Sequence, residues 1–335
     1  MKTTCSPSLY RSTPKIIVLL TLLFFGCQNQ NLSTVLSSTG YFIGADSLKL
    51  FYQFEGTGSD TVVMIHGGPG MDAGYLINDF KPLAKNHVLL YYDQRGSGRS
   101  ALPDTTLAAS ALHIDRHIAD VEALRNYFHL SKVNLLGHSF GTVIAGMYAL
   151  AYPEKINSLL LIGAVPPYAG DFGGRYEKSL NSRLSTLELK MLDSLNIEIA
   201  SGHNPVAACI AYWQIAMKPR IASGLDIKIL QGDCCRAPAE AIQYGYRYTN
   251  PITFSSLGDW DFREGLRKVT APTLLIHGTE ESIPMDMVEE WTKFLPNSSL
   301  IKVERAAHFP YVEQPEKVWP PIETFLQSIK EPHQQ

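Results

Sequence analysis

Residues 133–141 read VNLLGHSFG, and this stretch decides the fold. An apolar, strand-like segment runs directly into residues 142–151, whose small and aliphatic side chains are typical of a buried helix. A serine at the centre of Gly-x-Ser-x-Gly between a strand and a helix predicts a nucleophile elbow, a turn so tight that the flanking positions must be nearly free of side chains. A glycine-rich turn without chemistry is the alternative. We therefore take Ser139 as the candidate nucleophile.

The candidate acid follows a later strand. A serine hydroxyl needs a base to remove its proton, and an imidazole base needs a carboxylate to hold its tautomer. After an elbow of this kind, the partners follow in the chain order Ser, Asp or Glu, His. Residues 273–278 (TLLIHG) predict a buried parallel strand, and Glu280 and Glu281 come directly after it. We choose Glu281 from its position in the turn, and two solvated loop glutamates are the alternative.

The candidate base is His308. Residues 298–303 (SSLIKV) predict a further strand, and His308 lies among small residues in the loop after it. His66, His138 and His277 also lie beside strand ends, but none of these three follows both the serine and the acid. Since a single loop histidine is usually structural or exposed, the assignment depends on chain order.

An oxyanion hole requires two backbone N–H groups aimed at the oxygen on which negative charge develops. Phe140, the residue after the nucleophile, supplies the first N–H group. The second candidate is Gly68, in the sequence HGGPG at residues 66–70, which follows a strand-like segment. A phosphate-binding loop is the alternative, but the segment lacks the Gly-Lys-Ser/Thr ending and the Gly-x-Gly-x-x-Gly spacing.

Four motifs together resemble a known family. HGGPG at residues 66–70, DQRGSGRS at 93–100, GHSFG at 137–141 and AHFP at 307–310 resemble the α/β-hydrolase superfamily, and within it most closely the proline iminopeptidase group. The likeness covers residues 41–165 and 256–328. It implies an α/β-hydrolase fold and a serine hydrolase that uses no cofactor and no metal ion.

Two positions depart from the family pattern. The family acid is an aspartate in a Gly-x-x-Asp turn, and Glu281 stands in the matching place, as glutamate does in other triads of this fold. The iminopeptidases also carry a Trp-Glu pair in the cap that receives the substrate amino group, and Trp213 and Gln214 are the counterparts here. A neutral amide binds an ammonium more weakly than a carboxylate does. The carboxylates that could take its place are Glu198, Asp233 and Glu240.

The first 27 residues predict a signal peptide of the lipoprotein type. Basic residues precede an apolar run at residues 16–26, which is short for a membrane span, and Gly26 precedes Cys27, the candidate lipidation site. Residues 28–40 predict a polar tether. An uncleaved anchor is the alternative, and with either one we expect an extracytoplasmic enzyme. The lipoprotein reading predicts a membrane-anchored bacterial protein of the periplasm or cell envelope.

The rest of the chain predicts a core with an inserted cap. Residues 41–165 and 256–330 show an opening hairpin and then alternating strand and helix patterns, including a helix at residues 113–128, so we expect a mainly parallel sheet with helices on both faces. Residues 166–255 show helical patterns without a buried strand and predict a helical cap over the elbow. The aromatic candidates for pocket walls, for which core packing is the alternative, are Tyr168, Tyr212, Trp213, Tyr244, Tyr246 and Tyr248.

Composition excludes several classes of function. The 335 residues are 45% hydrophobic, which is typical of a folded globular protein, and the net charge of −3 argues against a nucleic-acid partner. The sequence has no cluster of zinc ligands. In an oxidising compartment we expect a disulfide from Cys209 to Cys234 or Cys235, with reduced buried thiols as the alternative.

The sequence therefore predicts a serine hydrolase that acts through an acyl-enzyme. We favour by a small margin a proline iminopeptidase-like aminopeptidase that releases N-terminal residues from small peptides. A carboxylesterase acting on small esters is the first alternative. The second is a binding protein without catalytic activity, built on a hydrolase scaffold.

Overall fold

A computed structural model describes residues 37–102 and 108–330, which belong to the compact unit of residues 34–335. The predicted signal peptide at residues 1–27, with Cys27, and residues 28–36 of the predicted tether lie outside the described residues. Within the described residues, no helix combines the length and the apolar character that a membrane span requires.

Eight strands form one sheet in the order β1-β2-β4-β3-β5-β6-β7-β8. Strands β3 to β8 pair in parallel, whereas β2 pairs antiparallel with β1 and β4. This arrangement confirms the predicted, mainly parallel sheet. The strands are β1 (Ser38–Ile43), β2 (Lys49–Gly56), β3 (Thr61–Ile65), β4 (Val88–Tyr92), β5 (Val133–His138), β6 (Ile156–Ile162), β7 (Thr273–Gly278) and β8 (Ser298–Val303).

The first strand begins earlier than the sequence predicts. We expected the tether to continue to residue 40, but Ser38 already pairs with Phe54 of β2. The reason is that β2 is long enough to offer backbone partners to residues 38–40. Because β1 is an edge strand whose side chains are mostly exposed, this segment lacks the apolar alternation that would reveal a strand.

Alternate strand residues supply two separate cores, one on each face of the sheet. In β3, Val63 and Ile65 pack into one cluster, whereas Val62 and Met64 pack into the other. This alternation follows from the two-residue period of a strand, and burial of both faces explains why the inner strands are apolar throughout.

Helices cover both cores. Residues of α3, α4 and α12 belong to the first core cluster, and Val318, Ile322 and Leu326 of α14 belong to the second. The helices of the core are α1 (Gly74–Ile77), α2 (Ala108–Ala111), α3 (Ile114–Tyr127), α4 (Gly141–Ala151), α10 (Arg263–Leu266), α11 (Met285–Val288), α12 (Glu290–Phe294), α13 (Pro310–Glu313) and α14 (Pro315–Lys330).

The segment between β6 and β7 contains the predicted helical cap. Its helices are α5 (Phe172–Asn181), α6 (Thr186–Ser201), α7 (Pro205–Ala216), α8 (Ala239–Tyr244) and α9 (Asn250–Ser255). Helix α6 begins with a capping box between Ser185 and Glu188, and Pro205 opens α7. A disulfide joins Cys209 of α7 to Cys235, with the Cα atoms 5.7 Å apart, while Cys234 remains a buried free thiol.

The strand order places the candidate site. The chain runs from β3 to β4 on one side of β3, and β5 then pairs with β3 on the other side. Ligands of open α/β sheets bind at such a reversal, beyond the carboxyl ends of the strands. The loops that leave β3 and β5 carry Gly68 and Ser139, so these two predicted residues lie at this point of the sheet.

Candidate active site

Ser139 occupies a strained turn that requires glycine at positions 137 and 141. Its φ of 54° lies in the left-handed region, which is unusual for a residue other than glycine. A Cβ at Gly141 would lie 2.2 Å from the Ile65 carbonyl oxygen, and a Cβ at Gly137 would lie 2.7 Å from the Gly141 carbonyl oxygen. Both contacts are with backbone, so a larger residue would displace the turn.

Hydrogen bonds to the neighbouring strand hold the turn in place. The Ser139 N–H donates to the Ile162 carbonyl of β6 at 3.0 Å. The Thr142 hydroxyl donates to the Ser139 carbonyl at 2.7 Å and accepts from the Val165 N–H at 3.1 Å. The elbow is therefore fixed to the sheet on both sides of the serine.

The structure brings Glu281, rather than Glu280, to the imidazole. Glu281 Oε2 lies 2.6 Å from Nδ1 of His308, and its second oxygen accepts from the Ile283 N–H at 3.1 Å. Burial alone would raise the pKa of Glu281, but the charge and hydrogen bond of His308 outweigh it and lower this pKa to about 2. The acid is thus ionised at neutral pH and holds a proton on Nδ1, which leaves Nε2 of His308 free to act as a base.

Backbone contacts fix the loop that carries His308. The His308 N–H donates to the carbonyl of Arg220, a cap residue, at 3.0 Å. The buried carboxylate of Glu313 accepts from the N–H groups of Ala307 and Phe309, both at 2.9 Å, and also from Ala222 of the cap at 2.9 Å. Sequence reasoning missed Glu313. An acid inside the short helix that directly follows the histidine loop was the available signal.

His138, the residue before the nucleophile, connects both sides of the site. Its Nε2 donates to the His308 carbonyl at 3.0 Å, and its Nδ1 accepts from the Tyr75 hydroxyl at 2.8 Å. That hydroxyl in turn accepts from the Gly67 N–H at 2.7 Å. Burial lowers the pKa of His138 to about 3, so the ring stays neutral and the bonding pattern fixes its tautomer.

The predicted oxyanion donors flank the nucleophile. A Cβ on Gly67 would lie 2.8 Å from the Ser139 Cβ, so the glycine loop lies directly against the serine. Across the described parts of the chain, the N–H groups of Gly68 and Phe140 have no hydrogen-bond acceptor. Gly68 has a φ of 44°, which favours glycine. Two backbone donors are therefore available beside the serine hydroxyl.

A residue of the DQRGSGRS motif holds the same loop. The Gln94 side chain donates to the His66 carbonyl at 2.7 Å, and the Gln94 N–H donates to Nε2 of His66 at 3.0 Å. The motif therefore acts on the site indirectly, by anchoring the loop that presents Gly68.

Ser139 and His308 line one cavity of about 400 Å³. Within residues 37–102 and 108–330, the serine hydroxyl makes no hydrogen bond, to His308 or to any other group. Hydrogen bonds between nucleophile and base are often long without substrate and shorten in the Michaelis complex. The shared cavity places both groups at the position where a substrate carbonyl would bind.

The cavity wall includes only part of the predicted cap set. Tyr212 and Trp213 line it, but Gln214 is exposed and does not. The structure therefore does not bring Gln214 to the cavity, because successive residues of a helix point about 100° apart and burial of Trp213 turns Gln214 outward. The predicted residues that do not line the cavity are Tyr168, Tyr244, Tyr246, Tyr248, Glu198, Asp233 and Glu240.

The cavity is apolar and aromatic, with one strongly basic residue. Tyr176, Phe172 and Phe254 add to its aromatic wall, and Arg220 is the sole Arg, Lys, Asp or Glu among the described residues that line it. Sequence reasoning missed Arg220, because nothing in the pattern around it shows which way its side chain points.

Among the described residues, one group of metal-ligand side chains lies close together outside the cavity. The sulfur atoms of Cys209, Cys234 and Cys235 lie within 4.8 Å of one another. Two of these sulfurs form the disulfide, so they do not provide the thiolates that a metal ion would need.

Comparison with known proteins identifies the family. A model of the alpha/beta hydrolase fold matches residues 60–315. The chain belongs to the α/β-hydrolase family. The predicted fold class and the prediction of a hydrolase are both confirmed.

Curated relatives have two kinds of activity. A proline iminopeptidase of Heyndrickxia coagulans is 28% identical over 288 residues, covering 83% of this chain and 95% of the relative. A pimeloyl-[acyl-carrier protein] methyl ester esterase of Aliivibrio salmonicida is 25% identical over 283 residues, covering 83% and 96%. The predicted likeness to proline iminopeptidases is therefore confirmed, and esterases are also among the relatives of this hydrolase.

Solved structures agree on the fold. A proline iminopeptidase of Mycobacterium smegmatis superposes with a TM-score of 0.62 at 19% identity, covering 87% of this chain and 98% of that one. An esterase of Thermogutta terrifontis gives a TM-score of 0.63 at 18% identity, covering 88% and 100%. Identities this low show a common fold only.

Proposed function

We propose that this protein is a serine hydrolase that cleaves small carboxylic esters through an acyl-enzyme. The observation that carries the proposal is the composition of the cavity. It contains a serine, an imidazole and two free backbone donors, but none of the described residues that line it is a carboxylate. This set of groups serves acyl transfer and offers no charged partner for a substrate ammonium.

The geometry gives each residue a role. Ser139 Oγ attacks the ester carbonyl carbon while Nε2 of His308 takes the hydroxyl proton, and Glu281 stabilises the resulting imidazolium through Nδ1. The N–H groups of Gly68 and Phe140 bind the oxyanion. His308 then protonates the departing alkoxide, which leaves as an alcohol. A water molecule, deprotonated by the same imidazole, attacks the acyl-enzyme and releases the acid.

Aminopeptidase activity on prolyl peptides is the second candidate. It is supported by the curated proline iminopeptidases, which reach 28% identity over most of both chains. However, such a substrate carries a free ammonium group, and the cavity presents a guanidinium from Arg220 in place of the expected carboxylate. Like charges in an apolar cavity repel each other strongly, so the geometry favours the ester.

Two measurements test the proposal. The first is labelling of the purified protein by a fluorophosphonate probe, with Ser139→Ala as the control variant that must not be labelled. The second compares kcat/KM for p-nitrophenyl butyrate with kcat/KM for proline p-nitroanilide. We expect labelling and faster turnover of the ester. Faster turnover of the anilide would establish the aminopeptidase instead, and absence of labelling would leave the noncatalytic binding protein.

We further propose that the enzyme is a lipid-anchored protein outside the cytoplasm. The sequence pattern that ends at Cys27 supports this, as does the disulfide between Cys209 and Cys235, since such bonds persist in oxidising compartments. In a bacterial host, wild-type protein should incorporate radiolabelled palmitate and sediment with membranes. Cys27→Ala should not incorporate palmitate, whereas Cys5→Ala should behave as wild type. Palmitate in Cys27→Ala would contradict the proposal.

A further inference from the structure

Arg220 places a guanidinium in the wall of the cavity that contains Ser139 and His308. Its backbone carbonyl accepts from the His308 N–H at 3.0 Å, so this residue is adjacent to the base at one end and faces the cavity at the other. The side chain is partly buried beneath the cap. The cavity therefore has a positive charge within the space where a substrate would bind.

The guanidinium has unused hydrogen-bonding capacity. Its Nε donates to the Tyr176 hydroxyl at 3.2 Å, and Nη1 donates to the Ala216 carbonyl at 2.6 Å. A guanidinium has five N–H groups, so the two bonds leave Nη2 and one N–H of Nη1 available. Throughout the described part of the chain, no carboxylate oxygen lies within 4.0 Å of a guanidinium nitrogen of Arg220, so Arg220 forms no ion pair.

Two other arginines of the cap direct their guanidinium groups to partners outside the cavity. Arg175 pairs with Asp286 at 2.6 Å, although its side chain is 39% exposed. Arg183 donates to two backbone carbonyls, those of Pro219 and Glu280. Arg220 lines an apolar, aromatic cavity, and the cost of its burial is offset by Tyr176, Tyr212 and the more distant charge of Glu281, which raise the pKa of the guanidinium. Glu281 pairs with His308, so the guanidinium has no carboxylate in direct contact. The unused N–H groups of the planar Arg220 guanidinium match the geometry of a planar carboxylate.

We propose that the substrate carries a carboxylate and that Arg220 binds it. The substrate class is then the monoester of a small dicarboxylic acid, with the ester carbonyl at Ser139 and the free carboxylate at the guanidinium. This inference rests on the proposed ester hydrolysis and adds the charge of the substrate to it. It also explains why the cap lacks the acidic partner of a substrate ammonium.

A pair of substrates of equal shape tests the inference. The p-nitrophenyl monoester of glutaric acid ends in a carboxylate, and p-nitrophenyl 5-methylhexanoate ends in an isopropyl group of similar size. The measured quantity is the ratio of kcat/KM for the charged ester to that for the neutral ester. We expect Arg220→Met to lower this ratio about tenfold or more, because a hydrogen bond to a charged group is lost. Arg220→Lys keeps the charge without the fork and should give an intermediate ratio.

Lys218→Gln is the matched control. Lys218 is an exposed cation two positions away that pairs with Glu188, and it does not line the cavity, so its removal should leave the ratio unchanged. If Arg220 only caps the end of α7 through Ala216, its variants will slow both esters equally, and that result overturns the inference. Should Arg220→Met fail to fold, the ratio for Arg220→Lys decides in the same way.

The outcomes separate this inference from the proposed function. One outcome is that Ser139 is labelled, the neutral ester is turned over, and the ratio of kcat/KM values does not depend on Arg220. That outcome overturns the proposed substrate carboxylate and leaves the proposed ester hydrolysis standing. Absence of labelling and of turnover for either ester overturns the proposed function, and the inference then falls with it.

Discussion

Glu281 contacts the imidazole of His308, and its neighbour Glu280 does not. Glu281 Oε2 lies 2.6 Å from the ring of His308, whereas Glu280 accepts from the Ser223 N–H at 2.8 Å, on the cap side of the turn. Two adjacent glutamates thus have separate partners. The side chain of Glu281 is fully buried, and its low pKa keeps it charged in the pH range where a neutral imidazole is needed.

Glu281→Gln should lower kcat for ester hydrolysis by about 10³- to 10⁴-fold. An amide in that place no longer enforces the tautomer with a proton on Nδ1, and it does not stabilise the imidazolium. Glu281→Asp retains the charge but is shorter by one methylene, so it should retain more activity than the amide. Steady-state kinetics with p-nitrophenyl butyrate measures both.

Glu280→Gln is the control for this prediction, since it changes the adjacent carboxylate without touching His308. We expect its kcat to stay within about threefold of wild type. If Glu280→Gln were the more damaging variant, the assignment of the acid would be wrong.

At the residue scale, chain order predicts which side chains share an edge of the sheet, whereas the rotation of a helix is not readable from the sequence. Ser139, Glu281 and His308 each follow a strand, so their side chains share one edge of the sheet whatever the loops do. Gln214 and Arg220 lie in the cap, where one residue of rotation decides between solvent and cavity. For Gln214, a single sequence does not specify that rotation, because α7 is apolar almost all round, and Arg220 lies in a separate short helical turn after α7.

At the scale of elements, the elbow depends on contacts between backbones. A Cβ at residue 141 would lie 2.2 Å from one carbonyl oxygen and 2.7 Å from another, those of Ile65 and His66. Gly141→Ala should therefore destabilise the fold by about 1–3 kcal/mol, as overpacking does, and displace the nucleophile. Urea denaturation and kcat should both report the change.

Gly173→Ala is the matched substitution. Gly173 lies in helix α5, and a Cβ there meets no atom within 4 Å. Alanine is the better helix former, so the variant should gain about 0.5–1 kcal/mol. Equal effects of the two substitutions would contradict the steric account of the elbow.

The disulfide should stabilise the cap. It closes a loop with a sequence separation of 26 residues. On chain-entropy grounds, the double variant Cys209→Ala/Cys235→Ala should lose about 3 kcal/mol in the free energy of unfolding, measured without reductant. Cys234→Ala leaves the bridge intact and should lose clearly less. If reductant lowers the stability of wild type and of the double variant equally, the bridge is not the cause.

At the scale of the whole molecule, buried polar groups join core and cap. His117 of α3 donates through Nε2 to the Thr253 hydroxyl of α9 at 3.2 Å, and that hydroxyl donates to the Leu112 carbonyl at 2.9 Å. Burial lowers the pKa of His117 well below its usual value. The folded protein therefore keeps this ring neutral, while the unfolded chain binds a proton below about pH 6.5.

The sign of the pH effect follows from this difference. The contribution of His117 is fully present above pH 6.5 and is lost as the pH falls, because the unfolded state then takes up the proton. Relative to His117→Gln, wild type should lose about 1.4 kcal/mol of stability between pH 7.5 and pH 5.5. Urea denaturation of both proteins at the two pH values measures the change.

His203→Gln serves as the control for this pH effect. His203 is an exposed cap residue, so His203→Gln removes a histidine without removing a buried contact. If the difference in the free energy of unfolding between wild type and His117→Gln were the same at pH 7.5 and pH 5.5, the ring of His117 would not resist protonation in the folded protein.

The larger architecture was open to prediction because buried parallel strands are apolar throughout and are separated by recognisable helices. The alternation from β3 to β6 and the interruption before β7 are both visible in the sequence. The start of β1 was not, because an edge strand with polar, exposed residues has the composition of a tether. The core–cap contacts are equally hidden, since they join polar groups far apart in the chain.

The carbonyl of Arg220 that receives the His308 N–H belongs to the inserted segment, not to the sheet domain. Grafting a foreign lid onto this scaffold would thus remove a support of the general base along with the old pocket. A functional chimera must therefore retain residues 219–222 of the cap and the Glu313 carboxylate, which accepts a hydrogen bond from Ala222. The same short segment therefore lines the cavity and supports His308. This double role limits how freely caps can be exchanged between enzymes of this fold during evolution.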